Sequence, residues 1–437
     1  MLSKIHINNK YFVLFVLGLL GFAAIKAMQG LANIDSTSHN NTNFIYVIIG
    51  VLSVIYILSH WRIAFANNIY TKTICSFLAY LILRYAFFYD DTPIIRLIAN
   101  CVWPIIAVLG YTIGYKNYTS ENLSAIARVY LTFIVPFFVY NVFLSFTLTY
   151  DTDEFAKDAF FICLIFLPYI FLLKSPKWKY ILYIIFAAIA FISTKRTILI
   201  ATILSGVLFF LKTKRGKESL ALVILFVIIF SFSPLSKDII ANTSDRFLSI
   251  GEDGGSGRNT LYFQIWTDIS SNYSTQDILV GKGFSSVSHL VGMDAHMDIL
   301  QILHSLGFIG LIIYLTIYII ILYKLKMYKN IVDYNDHLGL ITFITFICFV
   351  IVANMNCFIF NPSFSVPMFF LISLFIGAIS CRLQYYQEHH RYFSVPAQAV
   401  IPFQPLPPAN YHQQLLLFFQ ISELYLFQNN IVYIFRQ

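Results

Sequence analysis

Five residues between positions 195 and 296 could do chemistry together: Lys195, Arg196, Arg246, Arg258 and His296. His296 stands just before the apolar stretch MDILQILHSLGFIGLIIYL. Near pH 7 an imidazole can take or give a proton, although a lone histidine is as readily structural, and His289 and His304 compete for the role. Lys195 and Arg196 interrupt two apolar runs in FISTKRTILIA, which leaves no room for a loop. Two cations at a membrane–water boundary suit a phosphate or diphosphate, the arginine as a planar fork and the lysine as a point charge. A tight helix–helix turn that happens to be basic accounts for them as well. Arg246 and Arg258 lie on either side of a glycine-rich run that ends in GEDGGSG. Backbone N–H groups of such a run can wrap an anion, and a flexible solvated loop explains the same residues.

Other chemistry finds no support. The sequence has no nucleophile elbow, phosphate loop, HExxH or Asp-x-Asp, and Glu252, Asp253, Asp268, Asp277, Asp294 and Asp298 are dispersed. Nothing here proposes a metal, a nucleotide or another cofactor. Cys75, Cys101, Cys163, Cys348, Cys357 and Cys381 lie in or beside apolar runs without a CxxC pair, so neither a disulfide framework nor a zinc site is expected. The net charge of +8 is no nucleic-acid signal, because the basic residues sit at the ends of apolar runs, where positive-inside sorting puts them.

The elements that must position these residues are membrane helices. Of the 437 residues 58% are hydrophobic and 11% charged, against roughly 25% charged in a soluble domain. Apolar runs of bilayer length recur and predict an all-α polytopic membrane protein with twelve spans, at about 11–32, 44–60, 73–89, 94–115, 129–150, 159–173, 180–194, 197–211, 219–233, 299–323, 338–355 and 367–381. The first run is too long for a cleavable leader and reads as a retained helix. With the N-terminus inside, sixteen Lys and Arg before the C-terminal tail fall on the cytoplasmic side and seven outside, four of those in one long loop. The expected organisation is therefore helices over 1–233, an extracytoplasmic loop over 234–298, helices over 299–391 and a cytoplasmic tail over 392–437. That tail is proline-rich and then interrupted-apolar, either disordered or lying on the membrane surface.

Several residues within this frame need a reason. Arg84 and Arg96 lie near the outer ends of neighbouring spans, either snorkelling or pairing with Asp90 and Asp91, or lining a cavity for an anionic head group. Asn141, Asn354 and Asn356 are expected to bond between helices, and Pro104, Pro136 and Pro168 to kink theirs. Arg258–Trp266 reads as an amphipathic helix with Leu261, Ile265 and Trp266 on one face. Gly307 and Gly310, at i,i+3, suggest close helix packing.

The run Arg258, Trp266, Gly281-Lys282-Gly283, Ala295-His296 and Gly307-Phe308-Ile309-Gly310 resembles the O-antigen polymerase and O-antigen ligase superfamily. That family has a helix-leading histidine, a polar residue, nine more residues and Gly-x-x-Gly. Here Met297 replaces the polar residue. Thr194-Lys195-Arg196-Thr197 resembles the family's basic turn, and Arg246 with Gly257 fits a polymerase loop pattern. The resemblance implies a multi-helix, lipid-donor (GT-C-type) glycosyltransferase of the bacterial inner membrane, needing no metal or nucleotide and active in lipopolysaccharide or other surface polysaccharide biosynthesis. Its substrate would be an undecaprenyl-pyrophosphate-linked oligosaccharide, and a chain-length regulator and a flippase would be its membrane partners. It further implies that Arg196 and Arg258 hold the donor pyrophosphate and that His296 activates the acceptor hydroxyl or shapes its site. A polymerase is the favoured reading, with Met297 and the aromatic spans leaning that way. A ligase acting on lipid A–core, and a flippase or transporter of the lipid-linked repeat, are the alternatives.

Overall fold

The computed structural model describes residues 12–21, 37–65, 68–88, 94–132, 135, 162–192, 196–213, 258–331, 337–355 and 359–393. Among these every regular element is a helix. In chain order they are α1 (12–21), α2 (Thr37–Ser59), α3 (Trp61–Phe65), α4 (Ile69–Phe87), α5 (Ile94–Lys116), α6 (120–132), α7 (Ile162–Leu172), α8 (Pro176–Ile192) and α9 (Arg196–Lys212). After them come α10 (Arg258–Asn272), α11 (Thr275–Val280), α12 (Ser286–Val291), α13 (Asp298–Ile331), α14 (Leu338–Met355) and α15 (Pro362–Phe393). Among the described residues two stretches are long and apolar enough to cross a membrane, Asp298–Asn330 and Phe364–Glu388. Of the other expected spans, 219–233 lies outside the described residues, as do most of 129–150 and 22–32 of the first.

The chain divides into two compact units, 1–386 and 387–437. Of the second, only 387–393 are described, as the end of α15. Of the tail expected over 392–437, residues 392 and 393 end α15, and 394–437 lie outside the described residues.

The first unit is organised around α15. Residues 364–380 of that helix are buried on every side, Ser365, Ser373 and Ser380 included. A helix apolar all round is a core helix or a membrane span. Its closest neighbour is α5, through small residues that let backbones meet. A Cβ on Gly110 would lie 2.4 Å from the carbonyl oxygen of Phe370, and one on Gly377 would lie 2.1 Å from that of Tyr111. Gly110 and Gly114 are spaced four apart, and Gly114 meets Leu374 as Gly110 meets Phe370, so α5 and α15 run parallel. Trp103 stacks on Phe369 at 3.9 Å between centroids and closes the contact. Pro104 and Pro168 lie inside α5 and α7 as expected. Asn354 donates to the carbonyl of Val350 in its own helix, and Asn141 and Asn356 lie outside the described residues.

α13 is not one straight rod. Gly307 has φ 66° and ψ −168°, which splits it into segments 298–306 and 308–331. The side chains show how sharply. Tyr314 donates its hydroxyl to Asp298 Oδ2 at 2.9 Å. Sixteen residues of unbroken helix would separate these two by about 24 Å, whereas an Asp and a Tyr can bridge only about 13 Å between Cα atoms. The first segment therefore folds back beside the start of the second. This corrects the expectation that Gly307 and Gly310 share one helical face. Gly310 is helical and faces Tyr80 of α4, while Gly307 is the corner of a helical hairpin.

Candidate functional site

Segment 298–306 has two ends, and the polar loop before it is built around both. A helix leaves its last carbonyls without intrahelical partners. Here the Gly281-Lys282-Gly283 turn supplies them. The Lys282 amide donates to the carbonyl of His304 and the Gly283 amide to that of Ser305, both at 3.0 Å. The Tyr273 hydroxyl also donates to the His304 carbonyl at 2.9 Å, and Tyr80 donates to that of Leu306 at 2.5 Å. The fit requires two glycines. Gly281 has φ 73°, and a Cβ there would lie 2.3 Å from the Ser305 carbonyl carbon. A Cβ on Gly307 would lie 2.4 Å from the Leu279 carbonyl.

Arg84, 2% exposed, holds the other side of this turn. It donates to the carbonyls of Val280 (3.1 Å), Gly281 (3.0 Å) and Phe88 (3.3 Å), capping the end of α11. A cation at a helix C-terminus is favourable. Arg84 thus belongs to the fastening of the loop, a role that neither snorkelling nor a head-group cavity anticipated. Asp90 and Asp91 lie outside the described residues.

A buried ionic knot lies beside the turn. Asp268 Oδ2 accepts from Lys282 Nζ at 2.9 Å and sits 3.0 Å from His304 Nε2, while Oδ1 accepts from Asn272 at 2.9 Å. His304 Nδ1 lies 2.8 Å from Ser286 Oγ, and the Lys282 ammonium sits 4.4 Å from the centroid of the Tyr273 ring. Burial pushes the Asp268 carboxyl up, but the hydrogen bonds from Lys282, Asn272 and His304, with the Lys282 charge, outweigh it and hold it below the usual carboxylate range. Burial raises the Tyr273 hydroxyl, and the Asp268 and Asp277 charges raise it further.

These contacts fix the direction of α10. Asp268 of α10 pairs with His304, and six residues earlier Tyr262 donates to the carbonyl of His296 at 3.4 Å. Leu261, Ile265, Val287 and Ala295 form the small apolar core between them, with Ile269 and Leu300 packed against it. Both partners move towards their N-termini together, so α10 and segment 298–306 lie side by side and parallel. Arg258 is the first residue of α10, and His296 precedes the segment by two. The two arrive at the same end. Helix N-termini carry partial positive charge, and two of them converge here with an arginine. Burial raises the Tyr262 hydroxyl while Arg258 pulls it down, which places the guanidinium near that ring.

His296 itself has φ 53°. The left-handed region costs a non-glycine residue roughly 1–2 kcal/mol. The surroundings hold it there: the Ala295 amide donates to Gln301 Oε1 at 2.8 Å, and Asp298 accepts from the Ile359 amide at 3.1 Å as well as from Tyr314. Asp298 is thus already engaged by two donors, although it lies in the segment's first turn.

The other expected site residues fare unevenly. Lys195 and Arg246 lie outside the described residues. Arg196 begins α9 and Arg96 lies within α5, and the side chains of both are outside the described set. His289 is exposed at the end of α12. The α10 helix exists, but Trp266 is 56% exposed, and Asp268 takes the buried position expected of it. Sequence reasoning missed Asp268, Lys282 and His304 as a group. The available signal was an ionisable residue inside an apolar stretch, which needs a partner, and the nearest polar segment offered both. Among the described residues no three of His, Cys, Asp and Glu gather as a metal ion would need. Compared with known proteins, the chain matches no protein-family model and no curated protein.

Proposed function

We propose that this chain is a multi-pass membrane glycosyltransferase that moves a glycan from undecaprenyl pyrophosphate onto the terminal sugar of a lipid-linked repeat, as an O-antigen polymerase does. The observation that carries the reading is the parallel helix pair, which brings Arg258 and His296 to one end under two helix N-termini. An anionic diphosphate and a proton acceptor are the two needs of this reaction. The acceptor oxygen attacks the anomeric carbon, and the bond from that carbon to the phosphate oxygen breaks. The electron pair leaves on undecaprenyl diphosphate, and the acceptor's proton passes to His296. Arg258, with Lys195, Arg196 and Arg246 from the segments that precede it, stabilises the charge gained by the leaving group. Arg96 is the remaining cation for the donor's approach. The donor carries its own activated leaving group, so no cofactor takes part.

Purified protein in lipid discs with a lipid-linked repeat, in EDTA, should yield a glycan ladder. His296→Ala should remove it, with a loss of about 10²–10⁴ in rate. Arg258→Ala should cost about 10²–10³, and Arg258→Lys should recover only part, because a point charge does not replace a fork. Addition of the glycan to lipid A–core without a ladder would make the protein a ligase. Passage of the lipid-linked repeat across the bilayer, with flux surviving His296→Ala, would make it a transporter.

A further inference from the structure

We propose that Asp268, Lys282 and His304 are positioning residues for the transfer, setting the register of the parallel helix pair so that Arg258 and His296 face the same donor and acceptor; this rests on the transferase reading above. One carboxylate joins three elements: α10 through Asp268, the glycine turn through Lys282, and segment 298–306 through His304. His304 is 1% exposed, and both its ring nitrogens are occupied, by Asp268 and by Ser286. Neither ring nitrogen is left for a substrate. Ser286 is a peg in the same assembly, its Oγ lying 2.7 Å from the Gly283 carbonyl.

The knot is a poor device for stability alone. Charges taken out of water lose solvation, and replacing a buried ionic group by apolar residues of similar volume is often neutral or stabilising. Its product is geometry. Leu261, Ile265 and their neighbours would tolerate a slide of one helix along the other, since apolar contact is non-directional. The two contacts that reach Asp268 Oδ2 from outside α10, from Lys282 and His304, do not. A slide of one residue moves Arg258 by about 1.5 Å along the axis, and a misplacement of about 1 Å can cost a hundredfold in rate. Towards the far end the bond from Tyr262 to the His296 carbonyl is long, at 3.4 Å, and the short charged contacts that set the register lie at the knot.

The experiment compares wild type with the triple variant Asp268→Leu, Lys282→Met, His304→Leu and with His304→Gln alone. The triple variant should keep its melting temperature and its KM within about threefold while kcat falls about a hundredfold. His304→Gln keeps an N–H for Asp268 and should stay within about fivefold of wild type. Full turnover by the triple variant overturns the proposal, as does a loss of activity that only follows the loss of folded protein. A second arm needs no substrate. Spin labels at Asn259→Cys and Phe308→Cys, with the native cysteines replaced, should give a narrow distance distribution in wild type and a broad or shifted one in the triple variant. An unchanged distribution overturns the positioning role even if turnover falls. A wild type that makes no glycan while the distribution still broadens rejects the transferase reading and leaves the register device standing.

Discussion

The two ends of segment 298–306 are built on opposite principles. At the C-terminal end all three final carbonyls have donors, two glycines admit a backbone to within contact, and a buried arginine and an ionic knot close the surroundings. At the N-terminal end a histidine sits at φ 53°, with a long 3.4 Å bond from Tyr262 of α10 to its carbonyl. One end is over-determined and the other is held in a costly conformation. Strain of this kind persists only where surrounding structure enforces it, and it gathers at working sites. The fastened end is the fulcrum and the strained end is the tip.

The sharpest way to break this comparison is at the fulcrum. Gly307→Ala places a Cβ 2.4 Å from the Leu279 backbone at a φ that disfavours any side chain. Backbone atoms cannot retreat as a flexible side chain would. The expected cost is at least about 3 kcal/mol, seen as loss of monodisperse protein after detergent extraction. An extracted variant that melts like wild type would mean the corner is not tight. The tip should respond in the opposite sense. His296→Gly relieves the left-handed strain and should leave stability unchanged or raise it by up to about 1 kcal/mol, while glycan formation is lost. A marked fall in melting temperature would show that the imidazole holds the fold together.

How much of this was legible beforehand depends on the range of the physics. Membrane-length apolar runs are local, and helices cover most of the described part of those runs, two of them long and apolar enough to cross a membrane. His296 and Arg258 were visible because each opens a helix next to a polar stretch. The hairpin at Gly307 was not, since an i,i+3 glycine pair in an apolar run looks the same whether the chain continues or turns back. The non-helical backbone of Gly307 and the contact between Asp298 and Tyr314 distinguish the two. Trp266 was assigned to the buried face because it is large and apolar, but Asp268 won the position through three polar partners, two of them 14 and 36 residues away. Arg84 was seen as a cation in search of an anion. Two of its partners are carbonyls nearly two hundred residues on, which no local pattern could announce.

Arg84 offers an effect of intermediate size. Arg84→Met removes the donors for Val280, Gly281 and Phe88 and leaves buried carbonyls unmet. A cost of about 2–3 kcal/mol is expected, with Arg84→Lys recovering part because one ammonium cannot reach all three at guanidinium spacing. Thermal melts in lipid discs measure it. If Arg84→Met melts as wild type does, the turn is held by its glycines alone and the fulcrum is narrower than described.

The smallest effect is in acid, and it separates the two ends by pH. The Asp268 carboxyl is held below its ordinary 3.8 because the gains from its three donors exceed the penalty of burial. The folded state therefore binds this proton less tightly than the unfolded chain does. The stability that follows is fully present above the ordinary carboxylate value, falls as the pH drops through it and is lost once the pH passes below the folded value. Lys282→Met takes away one donor and the positive charge while leaving the burial in place. The folded carboxyl then rises towards its ordinary value, so this group's share of the stability lost in acid should be smaller than in wild type. Asp268→Asn should remove this group's share of the slope altogether. His296→Gly should leave it untouched, because that residue lies at the other end of the segment. Melting curves between about pH 3 and 6 read all four proteins. Identical slopes for wild type and Lys282→Met would mean that the lysine does not govern the carboxylate, and the knot would lose its central pair.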